Sequence, residues 1–95
     1  MIHSFNLKNK IVLVTGGYGH LGSAITESLL AHDAIVYVLG RDVHKFQSIF
    51  EKNIFLDRTL FFQSCDISRS DSIANAFHVV HQKHQKIDVL INNGV

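Results

Sequence analysis

The chain has no proline, one cysteine, no long apolar run and almost no net charge, and each shortage excludes something. Without proline, and with no low-complexity tract or internal repeat, nothing marks a linker or a domain boundary. The single cysteine, Cys65, rules out an internal disulfide and fits a reducing compartment. Met1 to Lys10 lack the apolar core of a signal peptide, and no run approaches membrane-spanning length. A formal net charge of +1 gives no reason to expect nucleic acid or an anionic membrane as a partner. The expectation is a soluble cytoplasmic protein. What is present is a hydrophobic content of 46% with a mean hydropathy of +0.15, the mark of a globular chain. Ninety-five residues make at most one small domain with modest burial.

The stretch Thr15-Gly16-Gly17-Tyr18-Gly19-His20-Leu21-Gly22 organises the rest. Gly17, Gly19 and Gly22 satisfy G-x-G-x-x-G, a weak pattern by itself. Here it is preceded by an apolar run, Ile11 to Val14, and followed by Leu21, Ile25 and Leu29 at helical spacing. Strand, glycine turn and helix in that order suit a pyrophosphate. The chain must turn sharply and bring its backbone against the ligand, and the new helix offers unpaired N–H groups and the positive end of its dipole. The plainer alternative is a strand-to-helix turn that binds nothing.

Four short apolar runs alternate with helix-period segments. Strands are expected near Ile11–Val14, Ile35–Leu39, Thr59–Gln63 and Ile87–Ile91. The first helix runs from about His20 to Ala31, with Ala24, Ile25, Ser28 and Leu29 toward the sheet. Asp42 could cap a second helix carrying Val43, Phe46, Ile49 and Phe50. Ser68-x-x-Asp71 has the form of a capping box for a third helix with Ile73, Phe77, Val80 and His84 in one stripe. This β-α-β-α-β-α-β alternation predicts an α/β Rossmann-type parallel sheet of order 3-2-1-4 with helices on both faces. The first two helices share one face and the third lies on the other. One helix cannot cover a four-stranded face, so the fold is expected to be incomplete, with something following Val95.

Thr15-Gly16-x-x-Gly19-x-x-Gly22, with its lead-in from Phe5 to Val14, resembles the cofactor loop of the short-chain dehydrogenase/reductase superfamily. Further matches run to the last residue, so the resemblance covers the whole chain but only the amino-terminal part of the family's domain. It implies that Gly16, Tyr18, Gly19, His20, Leu21 and Gly22 line the cofactor's diphosphate. The NAD-selecting acid of the family sits where this chain has Gly40. Asp42 has about the right spacing for such an acid but lies past the strand end, where capping suits it better. Arg41 follows instead, and a guanidinium fits the 2′-phosphate of NADP through its planar fork of donors. The resemblance therefore implies NADP as the favoured cofactor, with NAD as the alternative.

Cys65-Asp66-Ile67-Ser68 resembles the family's adenine contact, in which Asp66 accepts from the adenine amino group and the Ile67 N–H meets a ring nitrogen. Asp66 is equally placed to turn or cap the chain. Asp88-Val89-Leu90-Ile91-Asn92-Asn93-Gly94-Val95 resembles the strand ending in Asn-Asn-Ala-Gly, which carries cofactor contacts over to Asn93 and Gly94. Gly94 and Val95 depart from that ending, and His20 stands where ordinary members have glycine. The resulting loop spacing is closer to that of extended members such as nucleotide-sugar epimerases, whereas the last strand favours the ordinary type.

The family's catalytic Tyr-x-x-x-Lys and serine lie beyond the matched region. Tyr18 and Tyr37 are the only tyrosines, followed four positions later by Gly22 and Arg41, so neither opens that motif. His78, His81 and His84 are spaced by three and step by about 60° around a helix, which keeps all three from one ion. No metal is expected. The chain reads as the NAD(P)-binding part of an oxidoreductase acting on a carbonyl or alcohol. Alone it is expected to be inactive, to bind dinucleotide weakly or not at all and to self-associate through its open edge, and a complete protein is expected to be a homo-oligomer. The competing readings are a non-catalytic or truncated dinucleotide-binding module and a fragment of an extended-type epimerase or dehydratase.

Overall fold

A computed structural model describes residues 6–93. The elements are β1 (Ile11–Thr15), α1 (His20–Ala31), β2 (Ile35–Gly40), α2 (Val43–Phe50), β3 (Leu60–Ser64), α3 (Ser70–His84) and β4 (Val89–Asn92). All strand pairs are parallel and the order is β3-β2-β1-β4, the Rossmann arrangement expected from the sequence.

Alternation along the central strands divides the core in two. Val12, Val14, Val36, Val38 and Leu60 pack with Leu30 of α1 and with Phe46 and Phe50 of α2. Ile11, Leu13, Tyr37 and Leu39 pack on the other face with Cys65 and with Ala76 and Val80 of α3. Two helices on one face and one on the other is the distribution that right-handed crossovers require of this order. On β4, which among the described residues has β1 as its one neighbour, Val89 and Leu90 remain 43% and 47% exposed.

Three details differ from the sequence expectation. β4 begins at Val89, not Ile87, because the Asp88 carboxylate accepts from the Ile11 N–H (2.8 Å) at the mouth of the β1–β4 ladder. In α1 the buried residues are Gly22, Thr26 and Leu30, while Ala24 and Ser28 are exposed and Ile25 and Leu29 half-buried. The helix is rotated because Gly22 is pressed against the preceding loop and the Thr26 hydroxyl donates to the Gly17 carbonyl (3.3 Å). The third correction is at Ser68-x-x-Asp71, which forms no capping box. α3 opens at Ser70 after Arg69 with no side-chain cap. Asp66 has captured Ser68, through its N–H at 3.0 Å and its hydroxyl at 2.7 Å, and Asp71 is paired with Arg69 at 2.8 Å.

His84, at the end of the α3 stripe, meets the hydroxyl of buried Tyr37 at 2.7 Å. Burial first, then the charges of Lys83 and Lys86, hold the imidazole below its ordinary value of 6.5. Its neutral form is favoured in the folded chain, so the unfolded chain takes up the proton first as pH falls. This contribution is intact above 6.5 and is lost as pH drops from there toward the lowered folded-state value. The carboxyls of Asp66 and Asp88, held below their ordinary value of 3.8, act only in a more acidic window. A melting series from pH 8 to pH 5 is therefore expected to fall less steeply in His84→Gln than in the parent. Parallel profiles would rule out the coupling.

Candidate functional site

The carboxyl ends of the strands converge on the loop between β1 and α1. Gly16 leaves β1 with φ of 65°, a left-handed conformation that favours glycine, and its carbonyl accepts from the Gly19 N–H at 3.1 Å. A Cβ on Gly22 would run into that same carbonyl. The loop is thus folded flat against the first turn of α1. Gly19 is different. Its backbone is ordinary, with φ of −77° and ψ of 178°, and a Cβ there would meet only the Gly16 oxygen, at 3.4 Å. Among the described residues nothing requires glycine at this position.

The mouth of α1 is also unserved. Its N-cap is Gly19, no side chain caps it, and its first turn has no acid. By contrast, α2 is closed by Asp42, which accepts from the Lys45 N–H at 3.0 Å as expected. The first-turn amides of α1 and the positive end of its dipole therefore face outward beside exposed His20 and Leu21. An anion fits there.

Strand-end polar groups lock the floor of the site. The Thr15 hydroxyl donates to Asn92 Oδ1 (2.9 Å) and accepts from the Asn93 N–H (3.0 Å), and Asn93 Nδ2 reaches the Gly16 carbonyl at 3.4 Å. Asn93 thus supports the loop from below. Gly94 lies outside the described residues.

Two clefts lie side by side over the strand ends, sharing Leu39, Cys65 and Ile67. The larger, about 420 Å³, reaches from Thr15 and Asn92 to Phe77 and Leu90. The smaller, about 200 Å³, is bordered by Gly16, Tyr18, Gly40 and Arg41. Arg41 is mostly solvent-exposed, and its guanidinium approaches Asp66 Oδ2 at 4.0 Å. The other oxygen of Asp66 holds the Ser68 turn, and hydrogen bonds from the Ser68 hydroxyl and N–H keep its carboxyl below the usual range. Asp66 forms the turn that its position suggested and keeps Oδ2 on the Arg41 side.

Of the residues singled out from the sequence, Gly16, Tyr18, Arg41 and Ile67 border one cleft, with Asp66 joined through Arg41. Gly19, His20, Leu21 and Gly22 form the helix mouth. Tyr37 is buried on the α3 face, as a strand residue should be. The reasoning from sequence missed Lys45, whose ammonium lies 5.8 Å from the centre of the Tyr18 ring. A lysine in the first turn of a helix, against the dipole, was the signal for it. Among the described residues no group of three His, Cys, Asp or Glu side chains could hold a metal, and no helix is long and apolar enough to cross a membrane.

Residues 10–95 match the family model described as short chain dehydrogenase. Among curated proteins, 3-oxoacyl-acyl-carrier-protein reductase of Chlamydia pneumoniae is 31% identical over 87 residues, covering 92% of this chain and 35% of that protein. The NAD(+)-specified 15-hydroxyprostaglandin dehydrogenase of Rattus norvegicus is 30% identical over 91 residues, covering 93% and 34%. A crystal structure of a short chain dehydrogenase from Bacillus anthracis superposes with a TM-score of 0.85 at 25% identity, over 94% of this chain and 36% of the other. The chain thus spans about a third of the length of the relatives it matches.

Proposed function

The chain belongs to the short-chain dehydrogenase family, and from that premise we propose that residues 1–95 are the amino-terminal part of a single NAD(P)-binding Rossmann domain in a cytoplasmic oxidoreductase. The observation that best supports this is Gly19, whose side-chain space is open and whose amide neighbours at the mouth of α1 have no cap. A backbone left bare beside an uncapped helix end suits a diphosphate. On this reading Gly16, Tyr18, Gly19, His20, Leu21 and Gly22 hold the diphosphate, and Asp66 and Ile67 hold the adenine. Arg41 holds the 2′-phosphate of NADP, and Asn93 and Gly94 support the ribose nearer the nicotinamide.

A nicotinamide dinucleotide, when bound, supplies or accepts a hydride. The substrate class we propose is a carbonyl or alcohol, in keeping with the reductase and the hydroxy-compound dehydrogenase named among the relatives. This chain's own residues bind and orient, and no Tyr-x-x-x-Lys occurs in it to move the proton. The 95 residues alone are therefore expected to turn nothing over, and a complete enzyme is expected to be a homo-oligomer.

Titration of the complete protein with NADP and NAD, followed through the amide signals of Gly16 to Gly22, tests the reading; signals that stay unmoved with both would sink it. Arg41→Ala should then weaken NADP roughly tenfold and NAD much less. A charge-assisted guanidinium–phosphate contact is discounted here for the solvent exposure of Arg41. Equal loss for both cofactors would remove Arg41 from the assignment.

A further inference from the structure

We propose that Asn93 is a site of spontaneous deamidation, and that the carboxylate so formed weakens the anion site at the mouth of α1. The modification itself needs only the residues at the end of β4. Its consequence for a ligand rests on the dinucleotide reading above.

The nitrogen of the peptide bond after an asparagine, once base has taken its proton, can attack the side-chain amide carbon. A Cβ on the following residue hinders that approach, and glycine has none. Asn93 is followed by Gly94, and every other asparagine of the chain is followed by a residue with a side chain. Position favours Asn93 too. It lies one residue past β4, outside the ladder that fixes Asn92 opposite Thr15. Its side-chain amide reaches the Gly16 carbonyl only at 3.4 Å, a long hydrogen bond. It is half-buried beside exposed Asn92, so base and water have access.

The reaction balances with water as its one co-reactant. The Gly94 nitrogen bonds to Asn93 Cγ, the Cγ–Nδ2 bond breaks, and Nδ2 takes a proton from solvent and leaves as ammonia. Water then opens the cyclic imide, its hydroxyl joining a carbonyl carbon and its proton returning to the nitrogen. Opening at Cγ gives aspartate, and opening at the main-chain carbon gives isoaspartate. Nothing is oxidised or reduced.

What the product does follows from where the amide sits. Asn93 Nδ2 donates to the Gly16 carbonyl and lies against Gly22, where a built Cβ would come within 2.9 Å of it. A carboxylate in its place turns a donor into an acceptor facing a carbonyl, so the loop loses a support and gains a repulsion. It also sets a full negative charge beside the first turn of α1, which has neither a side-chain cap nor an acid of its own. The positive end of the helix attracts that resident charge as it would a phosphate. A diphosphate arriving there then meets a like charge. Isoaspartate has the same carboxylate and lengthens the main chain by a methylene just past β4.

The test is incubation of the complete protein at mildly alkaline pH, followed by mass spectrometry of its peptides. The mass gain of an amide turned acid, placed by fragmentation, is expected at Asn93 before any other asparagine. Gly94→Ala should slow it several-fold. The deamidated form, richer by one negative charge, is separated by ion exchange from unmodified protein of the same sample, and both are titrated with NADP and NAD. Deamidation should weaken binding roughly tenfold and displace the Gly16 and Gly22 amide signals before any cofactor is added. Asn93→Asp should reproduce the aspartate form. A gain no faster at Asn93 than at Asn92, or undiminished in Gly94→Ala, would overturn the modification. Equal affinities with unmoved Gly16 and Gly22 signals would overturn its consequence. If the unmodified protein binds neither cofactor, the dinucleotide reading falls, and the displaced signals alone decide whether the new charge reaches the α1 mouth.

Discussion

Gly22→Ala is expected to cost the chain most of its stability, whereas Gly19→Ala, three residues earlier in the same loop, is expected to keep the fold and lose the ligand. The added methyl at position 22 would occupy the space of the Gly16 carbonyl, with the Asn93 amide at 2.9 Å on another side. Neither obstacle is the free end of a side chain, since one is backbone and the other is tied back to the loop. Relief requires moving α1 off β1 or unwinding the Gly16 turn. Overpacking of this kind costs about 3 kcal/mol or more, and a small domain has only about 5–15 kcal/mol to lose, at the lower end for its size. At position 19 the methyl finds space and an ordinary backbone, so unfolded-state entropy should leave stability unchanged or raised by roughly 0.5 kcal/mol. Binding of NAD(P) should fall roughly tenfold or more, because the methyl points where the ligand must approach. Urea unfolding and cofactor titration of both variants check this. A Gly19→Ala chain that binds normally would leave the bare backbone without a role.

The second large effect is expected from Phe50→Ala. Phe50 ends α2, is 1% exposed and belongs to the core shared by Leu30, Val36 and Leu60. Its ring touches Phe46 at 5.2 Å, which leads through Phe62 to Tyr18. Truncation removes a buried ring and leaves a cavity, a loss of about 3–5 kcal/mol. Ile49, next to it on α2 but 43% exposed, should lose less than about 1 kcal/mol as alanine. Because the aromatic row runs from the core to the cleft, the temperature at which α2 undocks from Phe50→Ala should also be the temperature at which nucleotide binding fails. Denaturant midpoints for the two variants that lie close together would show that α2 is not seated by this ring.

Much of this architecture is legible along the chain because its cause is local. A run such as Ile35 to Leu39 buries both faces wherever it pairs, and Asp42 caps the helix that begins one residue later. The cause of the α1 error is equally specific. Gly22 and Thr26 carry no hydrophobic signal, yet they are the residues buried, because a close backbone approach and a hydroxyl-to-carbonyl bond place them there. Ser68 and Asp71 had the spacing of a capping box, but spacing cannot show that Asp66 would bind Ser68 first.

The order of residues by itself determined the alternation of strand and helix, the parallel order 3-2-1-4 and the position of the glycine loop, since hydrophobic period, caps and crossover handedness act within a few tens of residues. Only the tertiary structure decided which side of α1 faces the sheet, that Tyr18 stands over Gly40, and that Lys45 lies on that ring. Those outcomes depend on distances between side chains far apart in the chain, and such distances exist only once the sheet has brought the ends of β1, β2 and β4 together.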